Sequence, residues 1–253
     1  MSADPRIVLI TGGSRGLGRE AALEVARQGD DVMLTYRSSP AQAQQVVEAI
    51  EALGRQAVAL HLDVEQADSF PAFAETVRST LREQWGRDQF DALLNNAGYG
   101  VNMPFVDTTE AQFDSMMRVH VKAPFFLTQA LLPMLRDGGR VLNVSSGLAR
   151  FCLPGHAAYG SAKAAVETLS RYMAKELGER GISVNAIAPG PLDSPMVHGI
   201  VPPDRMEAFL GNIPVGQLGD PAFVAQLVVL LAGDEARFVT GACWDVNGGL
   251  FMR

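Results

Sequence analysis

Cysteine, cations and long apolar runs are all scarce in this sequence. Of its 253 residues only Cys152 and Cys243 are cysteines. Two thiols cannot staple a disulfide scaffold, and without Cys-x-x-Cys spacing they give no zinc or redox pattern. They fit a reducing interior. Lys and Arg total 21 against 28 Asp and Glu, a formal net charge of -7. Non-specific nucleic-acid binding needs surplus cations to displace condensed counterions, so nucleic acid is not an expected partner. The most apolar stretch, residues 222–232, is interrupted by Gln226 and flanked by Asp220 and Asp234. It falls far short of the roughly 20 residues that cross a bilayer. Residues 1–5 are short and polar, and residues 7–10 are too brief for a signal-peptide core. A soluble, cytoplasmic protein without a membrane partner is expected. His61, His120, His156 and His198 share no metal-ligand spacing with one another or with carboxylates, so no metal is expected.

The rest of the composition is that of a globular chain, with 47% hydrophobic and 19% charged residues, which excludes a disordered one. At roughly 150 residues per domain the length admits one large domain or two small ones. No repeat, low-complexity tract or linker divides it. Short apolar runs alternate with longer amphipathic ones. Strands are predicted at 6–11, 31–36, 56–62, 92–95, 140–144, 183–188 and 242–246. Helices are predicted at 17–28, 69–85, 110–135 and 159–180, and through Val46, Ile50 and Leu53 with Gly54 as the stop. Strands that are apolar throughout are buried on both faces, as in a parallel sheet between helices. The pattern predicts one doubly wound, Rossmann-like α/β domain over residues 1–253, with about seven strands. Its ligand would lie outside the carboxyl ends of the strands.

The first strand runs into Thr11-Gly-Gly-Ser-Arg-Gly-Leu-Gly18, and a helix follows. Gly12 permits a tight turn, while Gly16 and Gly18 let backbone and helix approach a phosphate that faces the N–H groups of the helix start. A nucleoside-triphosphate loop would need Lys and Ser or Thr after the last glycine, but Arg19 and Glu20 stand there. The glycines at 12, 13, 16 and 18 also miss the G-x-G-x-x-G spacing. A glycine turn without a ligand is the competing reading.

The order Thr11-Gly12-x-x-x-Gly16-x-Gly18, Asn95-Asn-Ala-Gly98, Ser146, Tyr159-Gly-Ser-Ala-Lys163 and Asn185-Ala-Ile-Ala-Pro-Gly190 resembles the short-chain dehydrogenase/reductase family. Thr240-Gly241 and Gly248-Gly249 match its C-terminal signature, so the resemblance covers essentially the whole chain. It implies hydride transfer from a nicotinamide to a carbonyl carbon. Tyr159 would be the proton donor, Ser146 would hold the carbonyl oxygen, and Lys163 would also hold the nicotinamide ribose. The chemistry is sensible on its own terms. Tyrosine titrates near 10, and a lysine four residues on shares its helix face, where an ammonium would bring the phenol toward neutral pH. Outside the family pattern the two would be an ordinary half-exposed helix pair.

Further cofactor positions implied by the resemblance are Gly12, Ser14, Arg15, Gly16, Leu17, Gly18, Val64, Ala97, Gly98, Pro189, Gly190 and Ser194, with Asp63 at the adenine and Asn95 at the adenosine ribose. Ser194 replaces a frequent threonine and keeps the hydroxyl. His120 stands where the family places an asparagine that completes a proton relay through water. Histidine can hold such a water, and it could also titrate near neutrality and place a pH-dependent charge beside Lys163. A helix histidine satisfied by backbone is the bland alternative.

An NAD-type site carries an acid at the end of the second strand; here Tyr36 stands in that position, followed by Arg37, with Arg15 in the glycine turn. Two cations and no acid predict NADP(H), the alternative being that Arg37 is a solvated strand-end charge. The proline-rich segment 191–216, with Met196, Val197, Ile200, Met206, Phe209 and Leu210, is expected to be a substrate lid. Tyr99, Met103, Phe151, Cys152, Leu153 and His156 would line the rest of a pocket for a medium-sized apolar carbonyl compound. These residues would look alike if they only packed the lid. A homo-oligomer, dimer or tetramer, is implied by the family, and the 223–231 helix and 244–252 tail suit further contacts. Three functions remain open: an NADPH-dependent carbonyl reductase, an NAD-dependent alcohol or sugar dehydrogenase, and a non-catalytic NADPH-binding protein.

Overall fold

The computed structural model describes residues 5–251, the side chains at 195, 196 and 200 excepted; Met196 and Ile200 of the expected lid and Met252 of the expected tail therefore lie outside the described residues. The strands are β1 (Ile7–Ile10), β2 (Asp31–Tyr36), β3 (Ala57–His61), β4 (Phe90–Asn95), β5 (Leu135–Val144), β6 (Ser183–Pro189) and β7 (Cys243–Val246). The helices are α1 (Gly16–Arg27), α2 (Pro40–Glu51), α3 (Phe70–Trp85), α4 (Glu110–Met117), α5 (Ala123–Leu131), α6 (Ala157–Leu177), α7 (Pro195–Ile200), α8 (Pro203–Leu210) and α9 (Pro221–Ala232).

All seven strands pair in parallel, in the order β3-β2-β1-β4-β5-β6-β7. This is the doubly wound α/β sheet expected from the sequence. The order reverses between β1 and β4, which opens a crevice beyond their carboxyl ends. Every residue of β1 is buried, because alternate side chains serve two separate cores. Val8 and Ile10 pack with Ala22 and Val25 of α1, Val46 and Ile50 of α2 and Val228 of α9. Ile7 and Leu9 face Phe73 and Val77 of α3, Leu127 of α5 and Ala174 of α6. Among the described residues no helix is long and apolar enough to cross a membrane.

The single helix expected over 110–135 is broken. Residues Arg118–Lys122 form a π turn in which the Ala123 N–H reaches back to the Arg118 carbonyl. The cause is Pro124. In a regular helix residue 124 would donate to the His120 carbonyl, but proline has no N–H and its ring collides with that oxygen. The turn widens instead, as helices often do at functional sites. A 3₁₀ turn, Leu132–Met134, then delivers Leu135 to β5 rather than to the helix. Pairing of β5 with β4 becomes regular only from Arg140, after a register shift between Phe90 and Ala92. Helix α2 stops at Glu51, leaving Leu53 exposed ahead of Gly54, whose φ of 77° reverses the chain.

Asp31 fixes where β2 begins. Its Oδ1 accepts from Arg55 Nε at 2.9 Å, Arg55 Nη2 at 2.6 Å and the Gln56 N–H at 2.9 Å, and its Oδ2 from Trp85 Nε1 at 2.9 Å. One buried carboxylate therefore ties β2 to β3 and α3. Breaking a buried pair by removing one partner costs about 3–5 kcal/mol. Asp31→Ala should lose about 3 kcal/mol in urea unfolding at an unchanged m-value; a loss below about 1 kcal/mol would contradict this role.

Candidate active site

The glycine turn leaves β1 against the segment that follows β4. A Cβ on Gly18 would lie 2.4 Å from the Gly12 carbonyl oxygen and 2.5 Å from Asn96 Nδ2, and one on Gly12 would lie 2.9 Å from Ala97 Cα. Gly12 and Gly16 have φ of 67° and 55°, the left-handed region. Thr11 Oγ1 accepts from the Asn96 and Ala97 N–H groups at 2.9 and 3.0 Å, and Asn96 Nδ2 donates to the Thr11 and Gly12 carbonyls at 2.9 and 3.2 Å. The Gly12 N–H donates to Thr35 Oγ1 at 3.1 Å. Thr11, Thr35 and Asn96 thus brace the turn, a part that sequence reasoning did not assign them although two of them lie within the motifs. Ser14, Arg15 and Gly16 line its outer side. Arg15 opens α1 without a side-chain cap, and nothing stands within 4 Å of where a Gly16 Cβ would be. Leu17 packs inward.

Ser146, Tyr159 and Lys163 come together at the end of β5 and the start of α6. Ser146 Oγ accepts from the Leu148 N–H at 3.2 Å, opening a short 3₁₀ turn. Lys163 is buried, and its Nζ donates to the Val144 carbonyl at 2.6 Å and stands 5.5 Å from the Tyr159 ring centroid. Desolvation pushes the Tyr159 phenol up to about 12, with the hydrogen bond to Ser146 acting the other way. It pushes Lys163 down to about 7. The protein alone therefore holds the phenol above its ordinary value, the reverse of the shift expected from the neighbouring ammonium. Burial outweighs a charge that lies over the ring and is itself made reluctant.

His120, at the centre of the π turn, is buried with its ring edge-on to Tyr159, centroids 5.1 Å apart. Its Nε2 meets the Tyr99 carbonyl at 2.7 Å, so Nε2 carries the proton; Nδ1 is buried with no protein partner. Gly98 is glycine because a Cβ there would come 2.5 Å from His120 Cε1. Burial first, then Lys163, push His120 down to about 3. The expectation of titration near neutrality is thereby corrected: the imidazole is neutral, an acceptor at Nδ1.

At the other end of the crevice Arg37 closes β2, its guanidinium 5.8 Å from the Tyr99 ring centroid and 3.9 Å from Glu65 Oε2. Tyr36 packs edge-on against His61. Asp63 Oδ1 accepts the Glu65 N–H at 3.0 Å, and Val64 packs toward the core. Asn95, expected at the ribose, turns its amide into the sheet, where Nδ2 donates to Asn143 at 2.8 Å and Thr128 at 3.1 Å. Tyr99, expected in the substrate pocket, bonds its hydroxyl to Ser115.

Pro189 ends β6 buried, and the Gly190 N–H donates to the Val246 carbonyl at 2.9 Å. A Cβ on Gly190 would lie 2.7 Å from Asn247. Ser194 caps α7 by accepting from the Val197 N–H at 3.4 Å. Phe151 lies against Gly147, Cys152 and Leu153 are exposed, Met103 bonds its N–H to the Gly155 carbonyl, and His156 is buried with Nδ1 at 3.1 Å from the Pro154 carbonyl. Beneath this wall Arg150 pairs with Glu167 at 2.9 Å and contacts Asp245, while Ser145 donates to Glu167 at 2.7 Å. Among the described residues no cluster of His, Cys, Asp or Glu could hold a metal ion.

The turn fits a dinucleotide. Its glycines make room for backbone approach, the outer face is open at Gly16, and the uncapped start of α1 leaves N–H groups for a pyrophosphate. A family model described as enoyl-(acyl carrier protein) reductase matches residues 12–251. The chain is 37% identical to the 3-oxoacyl-[acyl-carrier-protein] reductase FabG of Staphylococcus aureus, over 96% of this chain and 97% of that protein. It is 34% identical to the FabG of Pseudomonas aeruginosa, over 100% of both. Among solved structures, the angucycline C-6 ketoreductase LanV with bound NADP superposes with a TM-score of 0.91 at 36% identity, covering 97% of this chain and 95% of that one. A blue fluorescent protein from a metagenomic library in complex with NADPH gives 0.89 at 33%, over 98% of both. The chain belongs to the short-chain dehydrogenase/reductase family.

The lowered His120 value ties stability to pH. Its folded value of about 3 lies below the ordinary 6.5, so the unfolded chain takes up the proton first. Its contribution to stability is complete above pH 6.5 and is lost as pH falls toward 3. Ring ¹⁵N shifts of His120 should stay those of the neutral Nε2–H form down to about pH 5. A titration midpoint near 6.5 would contradict the assignment.

Proposed function

We propose that the chain is an NADPH-dependent carbonyl reductase that converts a ketone to an alcohol. The observation that carries this reading is the Tyr159 phenol brought against Ser146 and Lys163, next to a turn shaped for a dinucleotide. When bound, the reduced nicotinamide supplies the hydride. Gly12, Ser14, Gly16, Leu17 and Gly18 would hold its pyrophosphate side. Arg15 and Arg37 would favour a 2′-phosphate, and Asp63, Val64, Ala97 and Gly98 would receive the adenosine. Pro189, Gly190 and Ser194, with Tyr159 and Lys163, would flank the nicotinamide ribose. Asn95, its amide held in the sheet by Asn143 and Thr128, would line the adenosine ribose by its backbone.

Ser146 donates a hydrogen bond to the substrate oxygen. Tyr159 keeps its proton at neutral pH because burial raises its pKa, and it gives that proton up as negative charge grows on the oxygen. Lys163, anchored on Val144, supplies positive charge that makes the phenolate left behind tolerable. His120 offers Nδ1 to a water that returns the proton, in place of the family's asparagine.

The segment 191–216, which includes α7 and α8, is read as a lid over a medium-sized apolar ketone. The relatives named as a 3-oxoacyl-[acyl-carrier-protein] reductase and an angucycline C-6 ketoreductase support that class. Phe113, Phe125, Phe126 and Tyr172, exposed along α4 to α6, and Phe223 and Leu230 on α9 suit a homodimer or homotetramer. The whole is read as one cytoplasmic domain.

NADPH oxidation against an acetoacetyl thioester, aliphatic and aromatic ketones, a quinone and an α-diketone tests the reading. Turnover on at least one ketone should fall at least about a hundredfold in Tyr159→Phe, with NADPH binding retained. Turnover indifferent to that substitution, or a chain that binds NADPH and reduces nothing in the panel, would count against it.

A further inference from the structure

The acid missing from the end of β2 is supplied from the next strand over. Beyond β3, Asp63 Oδ1 accepts the Glu65 N–H at 3.0 Å. There the Glu65 carboxylate faces Arg37 from the end of β2 and, through Ser115, Tyr99 from beyond β4. Ser115 of α4 donates to Glu65 Oε1 at 2.5 Å and is itself bonded to the Tyr99 hydroxyl. The carboxylate is thus anchored by a neutral hydrogen-bond chain that spans three elements. Two arginines gather on it more loosely: Arg118 Nη2 lies 3.6 Å from Oε1, and Arg37 Nη1 lies 3.9 Å from Oε2. The Arg37 side chain is 54% exposed and that of Glu65 only 21%, so the acid is the fixed member and the arginine the one able to leave.

We propose that Glu65 is a specificity-determining residue that tempers the preference of this site for a 2′-phosphorylated dinucleotide. This rests on the reading of Arg37 as the ligand of that phosphate. A phosphate arriving at Arg37 must compete with a carboxylate already there and share the space with its negative charge. A ribose 2′-hydroxyl meets neither penalty, because it is uncharged and carboxylates accept readily from hydroxyls. The strand-end acid of an NAD site and the bare cation of an NADP site are combined here, with the acid set back in the turn beyond β3. Discrimination between the two cofactors is therefore narrower than Arg37 and Arg15 alone would make it.

Glu65→Gln removes the charge and keeps an Oε1 that can accept from Ser115. Dissociation constants for NADPH and NADH, read from cofactor fluorescence at fixed ionic strength, separate the possibilities when Arg37→Gln is measured beside it. NADPH should bind about fivefold tighter to Glu65→Gln, the scale of one partly exposed charge pair, with NADH within about twofold of the wild type. Arg37→Gln should weaken NADPH at least about tenfold, the scale of a lost charge-assisted hydrogen bond. If Arg37→Gln weakens NADPH while Glu65→Gln leaves it unchanged or weaker, the proposal falls and the cofactor reading stands. If Arg37→Gln leaves NADPH unmoved, the reading of Arg37 falls and takes the proposal with it.

Discussion

The active site depends on a contact that only glycine allows. With hydrogen in place of a side chain, Gly18 lets the start of α1 sit on the Gly12 carbonyl and the Asn96 amide. A methyl group at that position would push the β1 turn away from the segment beyond β4. The consequences spread outward from there. Asn96 and Ala97 are held on Thr11, Gly98 is thereby presented to the His120 ring, and His120 in turn lies against Tyr159. The helix start that would receive a phosphate and the phenol that would donate a proton are thus two ends of one packed chain of contacts.

Around Tyr159 two effects compete, and burial wins. A lysine beside a tyrosine would be expected to lower the phenol, yet enclosing both groups raises the tyrosine and lowers the lysine, since each charged form loses its hydration. His120 obeys the same rule and is neutral. Of the three groups only Lys163, brought down to about 7, carries charge near neutral pH, and in a poorly solvated surrounding it is felt strongly by negative charge that develops on a substrate oxygen. That suits a site built to protonate an oxygen.

Much of this was legible in the sequence because it is local. Buried strands announce themselves as unbroken apolar runs, which places the sheet, and the glycine spacing, Tyr159 and Lys163 fall within short windows that the fold brings to the carboxyl ends of the strands. The parts that escaped depend on partners far away in the chain or on geometry. The helix pattern through 110–135 carried no sign that Pro124 would widen the turn at His120, although the proline itself was the available clue. The protonation of His120 follows from how deeply Gly98 lets it sit. Asn95 looks like a ligand in the motif and turns inward because Asn143 and Thr128 wait on neighbouring elements. Glu65 has no motif at all; its position beside Arg37 comes from the parallel pairing of β2 with β3.

The most direct test of this account is a crystal structure of the NADPH complex. The pyrophosphate should rest on the N–H groups that open α1, with the Gly12, Gly18 and Asn96 contact unchanged and the dihydronicotinamide beside Tyr159. A cofactor bound elsewhere, or a turn that has to open and part from Asn96 to admit it, would contradict the claim that this contact organises the site.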